Sequence, residues 1–388
     1  MRYDFNQILD KNNTNSVKWE FMQFLEKDVH EDTLPFWIAD MDFMCPQPLL
    51  EAIKDRADSL LLGYSMADTG YYDAFCNWLQ RRFHWHVEAD DIFITPGVVS
   101  ALQDLILSLT DKGDGIIIQR PVYYPFSLII PKTGRILVNN ALVNSTGYYA
   151  IDWRDLEKKA KDPANRMLLF CSPHNPVGRV WTVEELTQVA EICLDNEVIL
   201  VSDEIHFDLL RQGVSHTPVA KLSPEEDTII TCTAPTKTFN AAGLQISNII
   251  IRNKAFQQKW SAQTGPELVS PLSLAAVKAA YNEGEEWLEQ LLVYLDNNFA
   301  FMDRYLKENL PKARFFIPEG TYLAWIDFRG FGHDDKKLGR ILLEEAKVLL
   351  ENGTMFGPEG SGFQRINIAC PRSILEQGLK RISAALHR

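Results

Sequence analysis

Residues 167–203 read MLLFCSPHNPVGRVWTVEELTQVAEICLDNEVILVSD. Met167–Cys171 (MLLFC) and Val198–Ser202 (VILVS) are short, continuous apolar runs, the composition of strands covered on both faces. Between them a helix is predicted from Thr182. Glu185 follows three positions later, so each side chain can accept from the other's backbone NH. Strand, helix and strand in this order describe two parallel strands joined by a crossover.

The same texture extends on both sides. Asp91–Thr95 (DIFIT) precedes a helical run from Val98, and Gly115–Gln119 (GIIIQ), Ile136–Asn139, Thr228–Cys232 and Ile246–Ile251 are further strands. After Glu283 the pattern changes to a long helix ending near Asn309, strands near Arg314–Ile317 and Tyr322–Asp327, a helix over Lys336–Leu350, a strand at Arg365–Ala369 and a last helix. The expected fold is therefore α/β. A large domain over 46–285 holds a mostly parallel, seven-stranded-type sheet sandwiched by helices, and 286–388 with the N-terminal 1–45 forms a smaller α+β domain. No Gly/Ser-rich or Pro-rich linker separates them, so the long helix is the expected bridge.

Composition excludes several classes. The 388 residues are 46% hydrophobic and 23% charged, enough apolar surface for a large core and too much for wholesale disorder. A net charge of -13 repels phosphate backbones and anionic lipids, so neither a nucleic-acid nor a membrane partner is expected. The opening MRYDFNQILDKNNTNS has no continuous apolar core of the kind an export signal needs, and no run of residues is apolar enough to span a bilayer. Six scattered cysteines without a CxxC pair read as reduced core residues of a cytoplasmic protein.

Ligands of open parallel sheets sit beyond the carboxyl ends of the strands. Three polar residues fall there: Asn175 in SPHNPVGR, Asp203 in SDEIH and Lys237 in TAPTKTFN. A desolvated lysine becomes an amine that condenses with a carbonyl. A buried aspartate requires a cation such as a protonated pyridine nitrogen, and an asparagine can donate to a phenolate oxygen. Together they describe a pyridoxal 5'-phosphate (PLP) site. Taken singly, each has a plainer account: a solvated lysine, a turn-forming aspartate, an asparagine made into a turn by Pro176.

The ordered set NPVGR, SDEIH and TKTFN resembles the fold-type-I PLP enzymes of the aspartate aminotransferase superfamily, specifically their cystathionine β-lyase-like carbon-sulfur lyase branch. PFWIADMDF, GYSMADTGYYDAF, TPGVVSAL, PVYYPF and FQRINIACPR extend the resemblance over nearly the whole chain. It implies that Lys237 holds the cofactor and moves the α-proton, that Asp203 keeps the ring nitrogen protonated, that Tyr123 stacks on the ring and that Asn175 bonds the ring hydroxyl. The phosphate would rest on the backbone of Gly97, Val98 and Val99 at a helix start, with Thr236 adding a hydroxyl. Tyr64 would reach the phosphate of a neighbouring subunit, implying a homodimer with shared active sites, and Arg365 would clamp the substrate carboxylate.

His206 is either a core histidine bonded to backbone or a wall of the cofactor pocket, and the second is favoured. Three positions depart from the family pattern: Thr236 for serine, Phe207 for a smaller residue, and Asn12 for arginine. His84 and His86 lack a third ligand nearby, so no metal is expected, and the glycines of GPEGSGF (Gly357, Gly360, Gly362) read as a loop leading to Arg365. The activity the resemblance implies is cleavage of an S-substituted L-cysteine to a thiol, pyruvate and ammonia. An aminotransferase on the same scaffold, or a regulatory binding protein that retains the fold, are the alternatives.

Overall fold

Seven strands pair in the order β1–β7–β6–β5–β4–β2–β3 in the computed structural model, which describes residues 2–11, 13–27, 29–223 and 228–387. They are β1 Ile92–Thr95, β2 Gly115–Ile118, β3 Ile136–Asn139, β4 Asn165–Cys171, β5 Ile199–Asp203, β6 Ile229–Thr233 and β7 Ser247–Ile251. Only β7 runs against its neighbours; the other pairings are parallel.

Alternation along the strands explains their continuous apolar character. Ile116 and Ile118 of β2 with Met167, Leu169 and Cys171 of β4 enter one core. Ile117, Leu168 and Phe170 enter another on the opposite face, as a two-residue period requires when helices cover both sides. The edge strand β3 is less protected, and Ile136 is exposed. The crossover helix Val183–Asp195 starts where expected: Glu185 N donates to Thr182 Oγ1 at 3.2 Å and Thr182 N to Glu185 Oε2 at 2.9 Å.

A second, antiparallel sheet is ordered β8–β9–β11–β10, with β8 Arg314–Phe315, β9 Leu323–Asp327, β10 Glu351–Asn352 and β11 Phe363–Asn367. The long helix Glu285–Asn309 touches the helix Pro271–Glu283, β8 and the last helix Arg372–Leu386. The expected helix over Lys336–Leu350 does not persist. It is helical over Asp335–Arg340, widens to a π turn over Ile341–Glu345, and ends where Lys347 takes a left-handed φ of 53°. Val348–Leu349 then pairs in parallel with Leu34–Pro35. A strand from the far end of the chain has overridden local helix propensity, an outcome periodicity alone does not register.

Asn240 fastens residues 41–43 of the N-terminal segment beside the large sheet. Asn240, the last residue of TKTFN, adopts φ 54°, a left-handed conformation that asparagine tolerates. Its Oδ1 accepts from Met41 N at 3.0 Å, and its Nδ2 donates to Met41 O at 3.2 Å and Phe43 O at 2.7 Å. Replacing it with alanine leaves three backbone groups without their partner. We expect Asn240→Ala to cost about 2–4 kcal/mol, read as a lower denaturation midpoint at unchanged slope.

Candidate active site

Register decides where the site lies. Cys171 pairs with Asp203 and Asp203 with Cys232, so the carboxyl ends of β4, β5 and β6 are level. The loops after β4 and β6 carry Asn175 and Lys237 to the same rim. A cleft of 360 Å³ opens there, lined by Lys237, Asp203, Asn175, Tyr123, Gly97, Val98, Val99, Thr236 and His206. A larger hollow of 820 Å³ lies between the N-terminal segment and the helix Glu285–Asn309. Its charged residues Arg2, Asp4, Glu286 and Glu289 are all exposed, so it lacks the desolvation that perturbs reactive groups.

Lys237 sits on a short turn of helix, Pro235–Thr238, and its Nζ donates to Ala39 O at 2.6 Å. Burial lowers its pKa, as does Arg365, against the opposing pull of Asp40, Glu351 and Asp203. Asp203 is 4% exposed and accepts from Ile205 N at 3.2 Å. Burial pushes its pKa up to about 7, the neighbouring Glu204 adds to the rise, and Ile205 N and Lys237 only partly offset it. A buried carboxylate so weakly compensated is suited to a cation arriving in the cleft.

Asn175 is oriented by its neighbours. Its Oδ1 accepts from Arg365 Nη1 at 2.8 Å, which leaves the Nδ2 hydrogens for a ligand. Tyr123 precedes the helix Tyr124–Lys132, its NH donates to Asn175 O at 2.9 Å, and burial raises its phenol pKa. Gly97 caps the 12-residue helix Val98–Leu109 without any side-chain cap. A Cβ built on Gly97 meets nothing within 4 Å, so the helix start faces open space and presents its free NH groups there.

His206 lines the cleft. It is buried, stands edge-on to Tyr322 at 6.0 Å, and its Nδ1 has no hydrogen-bond partner among the described residues. Burial, with the positive charges of Lys237 and Arg365, lowers its pKa to about 3, so it is neutral. Phe207 points elsewhere: it stacks on Phe83 at 4.7 Å in the core and does not narrow the cleft. Asn12 lies outside the described residues.

Two expected residues stand apart from the cleft. Arg365 is 1% exposed behind Asn175, with its guanidinium 4.8 Å over the Phe356 ring and an ion pair to Glu351. Tyr64 is 94% exposed in a run with Leu60, Leu61, Leu62 and Met66, and is not brought to the cleft of its own chain. His86 bonds Glu88 at 2.9 Å on the surface. The sequence reading missed Glu351, the Ala39 carbonyl, and Tyr322, whose hydroxyl donates to that carbonyl at 2.9 Å. A backbone carbonyl carries no residue signature, and Glu351 follows no motif.

A planar aldehyde bearing a phosphate and a basic ring nitrogen fits these groups: an amine of lowered basicity, an undercompensated carboxylate and an uncapped helix start. The sequence model described as aminotransferase class I and II matches residues 32–382. Cystathionine beta-lyase PatB of Bacillus subtilis is 42% identical over 387 residues, 99% of this chain and 100% of that protein. Cystalysin from Treponema denticola, whose structure contains a pyridoxal 5'-phosphate cofactor, superposes with a TM-score of 0.97 at 38% identity, covering 100% of this chain and 99% of that one. The PLP-bound C-S lyase from Staphylococcus hominis gives a TM-score of 0.95 at 37% identity, covering 100% and 99%.

An acid whose pKa is raised on folding costs stability from its unfolded value upward, and the cost stops growing above its folded value. For Asp203 the cost builds between the ordinary aspartate value of 3.8 and about 7. Asp203→Asn should therefore make the ligand-free protein more stable than the parent at pH 8, by up to about 4 kcal/mol. The difference should fade towards pH 4, as thermal melting across pH would record.

Proposed function

The chain belongs to the aminotransferase class I and II family, whose cofactor is PLP, and on that premise we propose that it is a carbon-sulfur β-lyase. It would cleave an S-substituted L-cysteine such as cystathionine to a thiol, pyruvate and ammonia; from cystathionine the thiol is homocysteine. The observation that carries this reading is the convergence of Lys237, Asp203 and Asn175 in one cleft of a chain 42% identical, end to end, to a protein named cystathionine beta-lyase.

When bound, PLP supplies an aldehyde that condenses with amines and a ring that accepts the electron pair left at Cα. Lys237 Nζ, made less basic by burial, would hold the cofactor and then, freed by the substrate amine, take the proton from Cα. Asp203 would keep a proton on the ring nitrogen, and Asn175 Nδ2 would donate to the ring oxygen. Tyr123 would hold the ring plane, while the helix start at Gly97, Val98 and Val99, with the Thr236 hydroxyl, would seat the phosphate. Arg365 would orient the substrate through its α-carboxylate, which decides which bond to Cα lies perpendicular to the ring and breaks. Loss of the β-thiolate and addition of water complete the balance.

The reading extends to the assembly. Residues 46–285 would form the cofactor domain, and 1–45 with 286–388 the smaller one. The exposed apolar residues Leu60, Leu61, Leu62 and Met66 would be covered in a homodimer, bringing Tyr64 to the other subunit's phosphate site. Six unpaired cysteines suit a reducing, cytoplasmic setting. Among the described residues no helix is long and apolar enough to cross a membrane.

The purified yellow protein should release pyruvate from cystathionine with no keto acid added, and Lys237→Ala should lower that rate on the order of 10³-fold or more. Strict dependence on a keto acid would overturn the lyase reading in favour of transamination. In sedimentation the protein should run at twice the chain mass. Mixing inactive Tyr64→Ala and Lys237→Ala chains should recover part of the activity, since a mixed dimer keeps one intact site.

A further inference from the structure

Both terminal nitrogens of Arg365, which a substrate carboxylate would engage, already have partners. Its Nη1 donates to Asn175 Oδ1 at 2.8 Å, and its Nη2 lies 3.5 Å from Trp37 O. That same Nη2 is ion-paired with Glu351 Oε2. Nε is buried and has no hydrogen-bond partner among the described residues. Of the three acceptors, Trp37 O belongs to the main chain, and Asn175 is held by the backbone of a loop that also binds Tyr123 N. Glu351 differs in kind. It is directly across the strand pair from Arg365 and 3% exposed, and its Oε2, which has no hydrogen-bond partner among the described residues, is ion-paired with Arg365. It is also a carboxylate, the same group that the substrate would present.

We propose that Glu351 is a built-in occupant of the substrate-carboxylate seat, so that substrate capture is an exchange in which an incoming α-carboxylate displaces Glu351 from Arg365 and Glu351 takes up one proton. The inference rests on the reading of Arg365 as that seat. Charge balance requires the proton: one buried guanidinium compensates one buried carboxylate, and a second ionised one would be left unpaired. The other ionisable groups that face Glu351 are Lys237, Tyr123 and Tyr124. Both phenols are raised by burial, so neither is a stronger proton acceptor at neutral pH than the displaced carboxylate. Burial likewise raises the Glu351 pKa, against the lowering pull of Arg365, in the direction that makes its protonation accessible. A zwitterionic substrate brings that proton on the ammonium it must deprotonate to react. Glu351 is thus a specificity-determining residue: it sets a threshold that only a ligand bearing a well-placed carboxylate crosses.

The test uses 3-(methylthio)propanoate, the skeleton of S-methylcysteine without its amine, which occupies the seat but cannot condense with the cofactor. Calorimetric titration of the holoenzyme at pH 8, in buffers of different ionisation heat, should show uptake of about one proton on binding, and the Kd should fall as the pH is lowered to 6. Glu351→Gln should bind on the order of a hundredfold more tightly at pH 8, without proton uptake and without that pH dependence, the difference expected of about two pKa units of coupling. Equal affinity and no proton uptake in both proteins, with binding weakened by Arg365→Gln, would overturn the exchange while leaving the seat in place. Affinity unchanged by Arg365→Gln would overturn both. Weaker binding by Glu351→Gln would also overturn the exchange, by making Glu351 a support of the seat rather than its occupant. If Glu351→Gln does not fold, proton uptake by the parent protein decides alone.

Discussion

The alignment of three strand ends governs this molecule. Because Cys171, Asp203 and Cys232 share one level across β4, β5 and β6, Asp203 at the end of β5 and Asn175 and Lys237 in the loops after β4 and β6 line the same cleft. Parallel pairing and the absence of a register shift between these strands make the alignment rigid, and apolar cores on both faces hold it. A slip by one residue would turn Asp203 to the opposite face and leave a buried carboxylate with nothing to compensate it.

Around that rim the charges are arranged in opposition rather than in simple pairs. Asp203 is raised by burial, Lys237 is lowered by burial and by Arg365, and His206 is kept neutral by burial and by both cations. Asp203 is thereby brought into the neutral range, His206 is kept uncharged and Lys237 is made less basic. Such mutual displacement marks sites where protons move. The Arg365–Glu351 pair, packed against the Phe356 ring, extends the same network into the second sheet. The two sheets are therefore coupled through Asn175, which is bonded on one side to Arg365 and on the other lines the cleft.

The segment before the helix Gln47–Asp58 matters more than its few short elements suggest. Ala39 O receives the Lys237 ammonium and the Tyr322 hydroxyl. Asn240 clips Met41 and Phe43 in place, and Lys18 is buried against Asp42 at 2.8 Å. Removing a partner from such a buried pair leaves a charge uncompensated, so the segment is held by interactions that are costly to break.

Strand identity and polarity were legible in the chain because apolar runs, a Thr182–Glu185 capping box and polar residues at run ends are all local signals. The same locality exposed Lys237, Asp203, Asn175, Tyr123 and the Gly97 helix start, each of which belongs to a short ordered motif. What depended on pairing between distant segments was not legible. Val348–Leu349 looks helical until Leu34–Pro35 pairs with it, the side chain of Phe207 turns into the core only because Phe83 is there to stack on, and Tyr64 carries no mark of the exposed surface it occupies. Glu351 is the clearest case. Nothing in its neighbours along the chain distinguishes it from a solvated glutamate, and only its position opposite Arg365 across two antiparallel strands makes it a buried ion-pair partner at the candidate site. Side-chain type and spacing are properties of the chain, whereas desolvation and partner choice are created when strands far apart in sequence come together.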